Sequence, residues 1–517
     1  MLAVEINPAF GRALERIGSG GRDLFITGKA GTGKSTLLEY YRANAADTPV
    51  LLAPTGVAAL NVGGETVHRF FNFGIDVTPE KVRESRRGPR RPEIYKKLVT
   101  VIIDEVSMLR ADLLDCVDMF LRKHGPDVGA PFGGVRMVFV GDLYQLPPVV
   151  TGGEREIFRT VYETPYFFSA RALADSDLEI IELTKVYRQE DADFVALLNS
   201  VRNDSVDDVD VARLNTRVAP TFEPSDDVFF ISLTTTNRNA DRINADRLAS
   251  LPGRNSISVA EITGDFGREH YPTATELAFK AGAQVMMLNN DAMGRWVNGS
   301  LGVIESVAAW DATRAVTIRL RGWDRPVEVE TYTWEVIRFA VQAGEITSEP
   351  AGRFTQLPFR LAWAVTIHKS QGKTFDNVVI DLERGAFASG QTYVALSRCT
   401  SFEGIVLRRP VRRSSIRADW RIRRFLTGYR YRESEEAMPA SEKAALIRRA
   451  IKEGTEIQMT YLKTDDTLSE RRVVPLSVGP ESYAGKSFLG MRAFCRMRRA
   501  ERMFRVDRIL ALETRNG

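Results

Sequence analysis

The sequence predicts an α/β protein with two parallel-sheet units, a small β-barrel inserted in the second unit, and another small barrel at the C-terminus. Buried apolar strands alternate with helical patterns up to residue 297, which is typical of parallel sheets. Short alternating strands at about residues 297–358, and again after residue 441, are typical of antiparallel barrels. A chain of 517 residues is also too long for one core. We expect the domains at residues 1–175, with a small insert at about 70–97, then at 176–432 and 441–517, with a linker at 433–440.

The first apolar strand, residues 24–26, runs into a glycine-rich turn. Residues 28–35, Gly-Lys-Ala-Gly-Thr-Gly-Lys-Ser, fit the pattern G-x-x-x-x-G-K-S, and a helical pattern follows. The glycines let backbone N–H groups surround phosphate oxygens, and the helix start adds positive potential. Lys34 would reach the outer phosphates, and the Ser35 hydroxyl would help to hold Mg²⁺. The expected triphosphate-binding residues here are Gly28, Gly31, Thr32, Gly33, Lys34, Ser35 and Thr36.

Three further strand ends carry charged or amide side chains. Asp104 and Glu105 follow the buried strand at residues 98–103, where the first acid would bind Mg²⁺ and the second would orient or deprotonate the attacking water. Gln145 follows the strand at residues 135–140 and could sense the terminal phosphate. Arg188 follows the strand at residues 178–182, and a cation reaching the cleft from there would stabilise charge in phosphoryl transfer.

Composition excludes several classes of protein. Cys116, Cys399 and Cys495 lie far apart with no C-x-x-C pair, so we expect neither a zinc site nor a disulfide framework. No apolar run is long enough to span a bilayer and the start lacks a signal-peptide layout, which predicts a cytoplasmic protein without membrane partners. Arginines cluster at residues 412–432 and 492–508, either as solvated faces or as a surface for a polyanion.

Two stretches suit contact with nucleic acid. Small residues and hydroxyls at residues 53–71 follow a strand end, where another backbone can approach closely. The basic stretch at residues 77–97 is either a surface loop or a flap that contacts DNA.

Taken in order, these blocks, together with residues 366–372 and 393–398, resemble the motifs of superfamily-one helicases, most closely the Pif1 DNA helicases. The segment at residues 110–115 and the Pro-Phe-Gly-Gly at 131–134 resemble the Pif1 signature. The resemblance covers nearly everything up to about residue 430. It implies two RecA-like lobes with ATP between them, an inserted SH3-like barrel, and 5′-to-3′ movement on single-stranded DNA that unwinds duplex or structured DNA.

The resemblance also implies residue roles. Lys34 and Ser35 would bind phosphates and Mg²⁺, and Asp104 would also bind Mg²⁺. Glu105 would act on the attacking water, and Gln145 would contact the γ-phosphate. Arg188 and Arg398 would be finger residues from the second lobe. The residues matching motifs that grip a single strand are Thr55, Val57, His68, Thr366, His368, Lys369 and Ser370. The implied partners are single-stranded, forked and quadruplex DNA, with RNA–DNA hybrids as an open alternative, bound by a monomeric, nucleoid-associated motor acting in replication or repair.

One departure concerns the base. Many members of the family carry a glutamine ahead of the P-loop that reads adenine, but no glutamine precedes Gly28. We expect the side-chain amide of Asn7 to stand in for it.

The tail resembles a WYL domain, a small Sm-like barrel, with its defining tripeptide present as Thr460-Tyr461-Leu462 after a helix capped by Ser441. The likeness makes Tyr461, Arg492, Arg496 and Arg505 candidates for binding nucleic acid or an anionic ligand; a plain accessory barrel is the alternative. For the whole chain, a DNA helicase competes with two other hypotheses. One is a ligand-sensing regulator whose ATPase is a switch, and the other is an RNA-directed motor.

Overall fold

The computed structural model describes residues 5–45, 48–74, 76–86, 88–150, 158, 160–174, 176–189, 191–224, 228–307, 315–323, 325–382, 388–463, 468–483 and 486–515. The chain forms two compact units, Met1–Arg417 and Ala418–Gly517. None of the helices in these ranges has the length and apolar character needed to cross a lipid bilayer.

The strands within these ranges are, in chain order, β1 Leu24–Gly28, β2 Val50–Ala53, β3 Glu65–Thr66, β4 Thr100–Ile103, β5 Arg136–Gly141, β6 Glu179–Leu183, β7 Ile231–Thr234, β8 Ser256–Val259, β9 Glu261–Gly264, β10 Glu276–Phe279, β11 Gln284–Met287, β12 Leu301–Ser306, β13 Val316–Leu320, β14 Val327–Val329, β15 Tyr332–Gln342, β16 Glu345–Gln356, β17 Phe359–Leu361, β18 Ala364–Thr366, β19 Val378–Asp381, β20 Ile405–Leu407, β21 Glu456–Leu462, β22 Leu468–Tyr483, β23 Lys486–Cys495, β24 Ala500–Arg505 and β25 Ile509–Arg515. The α-helices are Pro8–Gly18, Lys34–Asn44, Gly56–Val62, Val67–Phe70, Pro79–Glu84, Pro92–Lys96, Ala111–His124, Ala192–Arg202, Asp208–Asn215, Asn237–Ser250, Gln391–Leu396, Trp420–Ala437 and Ala440–Glu453.

The first lobe is a parallel sheet in the order β3-β2-β4-β5-β1-β6. Strands β1, β2 and β5 are buried along their whole length, as expected for a parallel sheet covered by helices on both faces. Strand β6 pairs with β1 over five residues, from Leu24 with Glu179 to Gly28 with Leu183. The predicted boundary at residue 175 is therefore wrong, because the open edge of β1 takes up a strand that the sequence assigned to the second unit.

The second lobe is a parallel sheet in the order β18-β7-β19-β20. Antiparallel strands interrupt it between the helix Asn237–Ser250 and β18, which confirms an insertion in this lobe. The insertion runs from β8 to β17, so it begins well before the expected residue 297. Its sheets have the orders β14-β13-β12-β11-β17, β15-β16-β9 and β10-β8. The early strands were missed because β8 and β9 expose many of their residues and show no clear alternation of apolar positions.

The inserted region, residues 256–361, packs against the first lobe. The Phe339 N–H on β15 donates a 2.8 Å hydrogen bond to the buried Glu65 carboxylate. Arg69 forms a 3.1 Å ion pair with Asp265. Arg91 and Lys97, in the basic stretch at residues 77–97, donate to the Phe339 and Gly344 carbonyls of the same hairpin. Part of the stretch at residues 77–97 is therefore packed against the inserted region, rather than forming a separate surface loop or a separate flap.

The Pro-Phe-Gly-Gly segment is a left-handed turn closing the end of the helix Ala111–His124. Phe132, Gly133 and Gly134 have φ values of 48°, 61° and 76°. The Phe132 N–H donates to Asp118 Oδ1 at 2.7 Å, and the Gly133 carbonyl accepts from the Asp127 N–H at 2.9 Å. Glycine is needed at residue 133, since a Cβ there would overlap the Leu121 carbonyl oxygen.

The C-terminal unit is an antiparallel sheet in the order β24-β23-β22-β21-β25, with two helices at its start. The linker expected at residues 433–440 is wrong, because residues up to Ala437 complete the helix Trp420–Ala437. Lys443 Nζ donates to Ser434 Oγ at 2.6 Å, and Ser434 Oγ donates to the Leu510 carbonyl at 2.9 Å, which ties this helix to the sheet. The second helix begins at Ala440 after Pro439, so Ser441 is not its cap.

Replacing Gly133 by alanine should destabilise the first unit more than the same change at Gly253. Both glycines have positive φ, which costs alanine about 1 kcal/mol. Gly253 has no atom within 4 Å of an added Cβ, whereas at Gly133 the clash adds roughly 1–3 kcal/mol. Thermal denaturation of the two variants measures the difference. Equal midpoints would show that the turn relaxes freely and that steric fit at residue 133 does not matter.

Candidate nucleotide and nucleic-acid sites

The phosphate loop has the predicted form, with β1 ending at Gly28 and a helix starting at Lys34. Gly31 and Gly33 have φ values of 80° and 86°, which only glycine adopts without strain. Lys34 Nζ donates to the Gly28 carbonyl at 2.7 Å and to the Lys29 carbonyl at 3.0 Å, so the ammonium is held inside the loop. Burial lowers the pKa of Lys34, although nearby acids oppose the shift. An anion entering the loop would therefore meet a cation that is poorly solvated.

Asp104 and Glu105 leave the end of β4 through a turn. Glu105 has a φ of 49°, so it does not continue the alternation of a strand, and its N–H donates to Asp104 Oδ1 at 2.8 Å. Burial raises the pKa of both carboxyls, that of Asp104 to about 7, where the neighbouring Glu105 adds to the effect and Lys34 opposes it. Left-handed backbone in a bulky residue is costly and is concentrated at functional sites.

A cavity of about 640 Å³ adjoins this turn and the phosphate loop, and it is lined from both lobes. Of the residues predicted from the sequence, ten line it, namely Gly31, Thr32, Gly33, Lys34, Ser35, Thr36, Glu105, Gln145, Arg188 and Arg398. Gly28 and Asp104 do not line it. Gly28 ends β1 and Asp104 lies beside Glu105, close enough to Lys34 to affect its pKa.

The two arginines reach the cavity from different places. Arg398 is buried; its guanidinium donates to the Val394 carbonyl and to Ser397 Oγ, each at 3.0 Å. Burial, together with Arg188, lowers the pKa of Arg398 to about 9. Arg188 lies just after β6 in the first sheet, so its expected origin in the second lobe is wrong. Its side chain donates to the Ser397 carbonyl at 3.1 Å and thus joins the two lobes.

A network around Asp142 was not predicted. The Tyr393 hydroxyl, on the helix Gln391–Leu396, accepts from the Ala30 N–H of the phosphate loop at 3.1 Å and lies 3.4 Å from Asp142 Oδ2. Buried Arg202 donates to Asp142 Oδ1 at 3.0 Å and stacks 4.0 Å from the centre of the Tyr144 ring. Tyr393 lies in a block that the sequence singled out and Asp142 lies three residues before Gln145, but their meeting is visible only in the fold. Nothing in the sequence marks Arg202.

Asn7 does not line the cavity. Its Oδ1 accepts from the Phe10 N–H at 3.0 Å and caps the first helix, while its Nδ2 donates to the Tyr187 hydroxyl at 3.0 Å. Phe10 and Tyr187 line the cavity instead. The amide expected to read adenine is therefore engaged elsewhere.

The residues predicted to grip a strand form one group in each lobe. In the first lobe Thr55 caps the helix Gly56–Val62 through the Ala58 N–H, Val57 is half exposed, and burial lowers the pKa of His68. In the second lobe the Lys369 N–H donates to Thr366 Oγ at 3.3 Å just beyond β18.

The remaining members of the second group differ in access. Burial lowers the pKa of His368, and Lys369 is exposed. Ser370 is fully buried and donates to the Ile367 carbonyl at 2.7 Å, so the structure does not offer its side chain to a ligand. Sequence reasoning missed Arg360 and Lys373, two cations beside Lys369. Burial and the charge of Arg360 lower the pKa of Lys373 to about 8, which marks a cationic cluster.

In the C-terminal unit only two of the four candidate residues meet. The Tyr461 hydroxyl accepts from the Arg505 N–H at 3.3 Å, and its ring packs edge-on against Phe504. The three arginines carry acid partners: Arg492 pairs with Glu481 at 3.0 Å, Arg496 with Glu456 at 2.6 Å, and Arg505 with Asp507 at 2.5 Å. These pairs compete with any anionic ligand.

The fold and the site define a two-lobed P-loop nucleotide-binding protein, in which cationic side chains from both lobes line the nucleotide cavity. The family description "PIF1-like helicase" matches residues 1–211, and "WYL domain" matches residues 442–514. The chain belongs to the PIF1-like helicase family and carries a C-terminal WYL domain. The two lobes are the RecA-like domains of that family.

Three comparisons, with two relatives, show how similar the chain is to known proteins. The mouse ATP-dependent DNA helicase PIF1 is 35% identical over 395 residues, covering 74% of this chain and 57% of the mouse protein. Bacteroides Pif1 in complex with ADP-AlF4 is 34% identical, with a TM-score of 0.76 over 83% of this chain and 97% of that one. Bacteroides Pif1 bound to single-stranded DNA has the same identity and coverage but a TM-score of 0.59. The chain spans somewhat over half the length of the mouse protein.

Removing the Tyr393 hydroxyl should destabilise the first unit. Tyr393→Phe leaves the Ala30 N–H without its partner, a loss worth about 1–3 kcal/mol for a buried donor. Tyr271→Phe is the matched control, because the hydroxyl of Tyr271 has no hydrogen-bond partner within the described ranges. Thermal denaturation without nucleotide should show a lower midpoint for Tyr393→Phe alone. Equal midpoints would mean that the hydroxyl does not hold the loop.

Proposed function

We propose that this protein is an ATP-dependent DNA helicase that moves 5′ to 3′ along single-stranded DNA and unwinds duplex or structured DNA. One observation carries the proposal: Arg188 and Arg398 line the same cavity as Lys34 and Glu105. Phosphoryl transfer needs positive charge beside the transferring group. Hydrolysis in this cavity therefore depends on the position of the two lobes relative to each other.

The residues divide the chemistry between them. Lys34 and the loop N–H groups bind the phosphates, and Gln145 reads the outermost one. The raised pKa of Glu105 suits a group that takes a proton from water, because a carboxyl with a higher pKa is a stronger base. Arg188 and Arg398 stabilise the charge that develops as the bond breaks.

The donor set also fits Mg²⁺. The Ser35 hydroxyl lines the cavity, and the Asp104 carboxylate lies beside Glu105; both offer the oxygen ligands that Mg²⁺ prefers. Mg²⁺, when bound, would neutralise part of the negative charge of the phosphates. Asp104 and Ser35 would hold it, and Lys34 leaves the Gly28 and Lys29 carbonyls for the phosphates.

The DNA grip follows from the position of the two groups of residues. Thr55 follows β2 in the first lobe and Thr366 ends β18 in the second, so each lobe brings its own contacts to the carboxyl end of a parallel strand. A change in the cavity that moves one lobe against the other would change the spacing of the two grips. Lys369, Arg360 and Lys373 add positive charge on the second lobe, which suits a phosphate backbone.

The proposed substrates are single-stranded and forked DNA, quadruplex DNA and RNA–DNA hybrids, bound by a monomer. The Bacteroides Pif1 structure with single-stranded DNA supports the first of these. Competition between matched DNA and RNA strands tests an RNA-directed motor, since the 2′-hydroxyl is the group that distinguishes the two backbones.

The C-terminal unit is proposed to be an accessory module that binds nucleic acid or another anionic ligand. Arg472, Arg498, Arg499 and Arg502 are exposed and have no acidic partner in the described part of this unit. Such arginines can meet phosphates without first breaking an ion pair.

Replacing Lys34 by alanine should lower the DNA-stimulated ATPase rate about 100-fold or more, because one charge-stabilising donor is worth ~10²–10³ in kcat. Lys452→Ala, the same change on an exposed helix face of the C-terminal unit, should leave the rate unchanged. Wild-type protein should unwind a duplex with a 5′ tail and fail on one with a 3′ tail. Hydrolysis that ignores single-stranded DNA, or unwinding only from 3′ tails, would contradict the proposed motor.

A truncation after Arg417 tests the role of the C-terminal unit. Residues up to Arg417 form their own compact unit, so the shortened chain should keep its DNA-stimulated ATPase activity. Its affinity for single-stranded DNA should depend less steeply on salt, since fewer arginines displace counterions. Titrations at several salt concentrations measure that slope. If the response of the ATPase to DNA disappears while the fold survives, the chain is a regulator governed by its tail.

A further inference from the structure

A second cavity, of about 310 Å³, lies in the first lobe away from the phosphate loop. Four aromatic rings contribute to its lining: Phe71, Phe73, Phe120 and His124. Ligand cavities in proteins usually span ~300–1,000 Å³, so this one suits a small planar group. The nucleotide chemistry proposed above uses none of these residues.

The rings are held in place by each other. Phe71 stacks on Phe73 with centroids 5.5 Å apart and 20° between planes, and Phe120 meets Phe71 edge-on at 5.4 Å. Tyr95 packs behind both, at 6.0 Å from Phe71 and 4.8 Å from Phe120. Phe71 and Phe120 are buried while Phe73 and His124 are only half buried. The cavity therefore has a rigid aromatic wall with two accessible rings.

The cavity adjoins the strand-gripping residues of the first lobe. The Phe73 N–H donates a 2.7 Å hydrogen bond to the His68 carbonyl, so Phe73 is fixed to the end of the helix Val67–Phe70. The rings are therefore attached to the segment whose His68 is proposed to contact DNA.

The charges around the cavity favour a polyanion. Arg83, Arg86 and Arg90 are exposed, and none has an acidic partner among the residues that the structure places. Lys123 Nζ donates to the Val82 carbonyl at 2.9 Å and caps the helix Pro79–Glu84 that carries Arg83. Asp76 lies in the lining but is paired with Lys81. Aromatic rings in the lining, with these arginines outside, fit a base whose phosphates remain in solvent.

We propose that this cavity binds one unpaired nucleobase of the DNA on which the protein acts. Stacking of bases on aromatic side chains tolerates any sequence, because every base has a π face, and arginines nearby neutralise the flanking phosphates. The inference rests on the proposed DNA-binding function. It adds a contact to bases, whereas the contacts at Thr55 and Thr366 are to the backbone. The base comes from either the tracking strand or the complementary strand at a fork.

Forked DNA carrying a single 2-aminopurine, moved one position at a time through each strand, tests the proposal with the full-length protein. Stacking quenches 2-aminopurine, so one position near the junction should show a fluorescence change on binding. Phe73→Leu should abolish that change and weaken fork binding about fivefold or more, the scale of one lost stacking contact. Phe73→Tyr should retain it. Phe222→Leu, a half-buried aromatic in the second lobe, is the control and should behave as wild type.

The strand that carries the responsive position identifies the source of the base. If wild-type protein binds the fork but no position responds, or if Phe73→Leu keeps the response, the cavity does not hold a base, and the helicase proposal stands. Absence of any fork binding would overturn both proposals. Thermal midpoints of Phe73→Leu and Phe73→Tyr show whether either variant is destabilised. If both midpoints fall by the same amount and only Phe73→Tyr keeps the fluorescence change, the lost change in Phe73→Leu is due to the missing ring and not to lower stability.

Discussion

The structure depends on four charged side chains clustered at the nucleotide cavity, three of which line it. Arg398 is buried and Lys34, Asp104 and Glu105 are half-buried, and the loss of solvent shifts the pKa of each group toward its neutral form. They stay compatible because each opposes the shift of another: Lys34 lowers the pKa of both acids, and Glu105 raises that of Arg398. A cluster of this kind is sensitive to geometry, since Coulomb energy in a medium of low dielectric changes steeply with distance. Moving the lobe that carries Arg398 would therefore change the basicity of Glu105 on the other lobe.

Close contacts to main-chain atoms join the two lobes. The start of the helix Gln391–Leu396 lies so close to the loop after β5 that a Cβ at Gly390 would overlap the Tyr144 and Gln145 carbonyls. Gln189 donates to the Ser397 carbonyl at 3.2 Å and to the Cys399 carbonyl at 3.0 Å. A shift of the loop that carries Gln145 toward this helix would therefore press on its start, which precedes Arg398.

Local patterns predicted local structure well. The phosphate loop, β2, β4 and β5 follow from apolar runs and turn residues that need no distant partner. The errors concern partners: β6 was recognised as a strand, but only pairing with β1 decides its lobe and that of Arg188. The expected linker fails for a related reason. Residues 433–437 look like a polar break, yet Ser434 is buried against Lys443 and the Leu510 carbonyl, which extends the helix to Ala437. Arg202 and Arg360 escaped notice because an isolated arginine has no periodicity.

The inserted region bears on how a strand could reach the first lobe. A Cβ on Gly56 would overlap the Glu269 carbonyl, so the insertion touches the helix that Thr55 caps. Asn298 lies 3.4 Å from Asn61 on that helix and also accepts a hydrogen bond from Lys373 of the second lobe. The insertion therefore contacts both groups of proposed DNA-binding residues. Val57 nevertheless stays 50% exposed, which leaves an approach beside the insertion. The first lobe, the insertion and the second lobe therefore meet around the residues proposed to contact DNA, which limits how a strand could lie there.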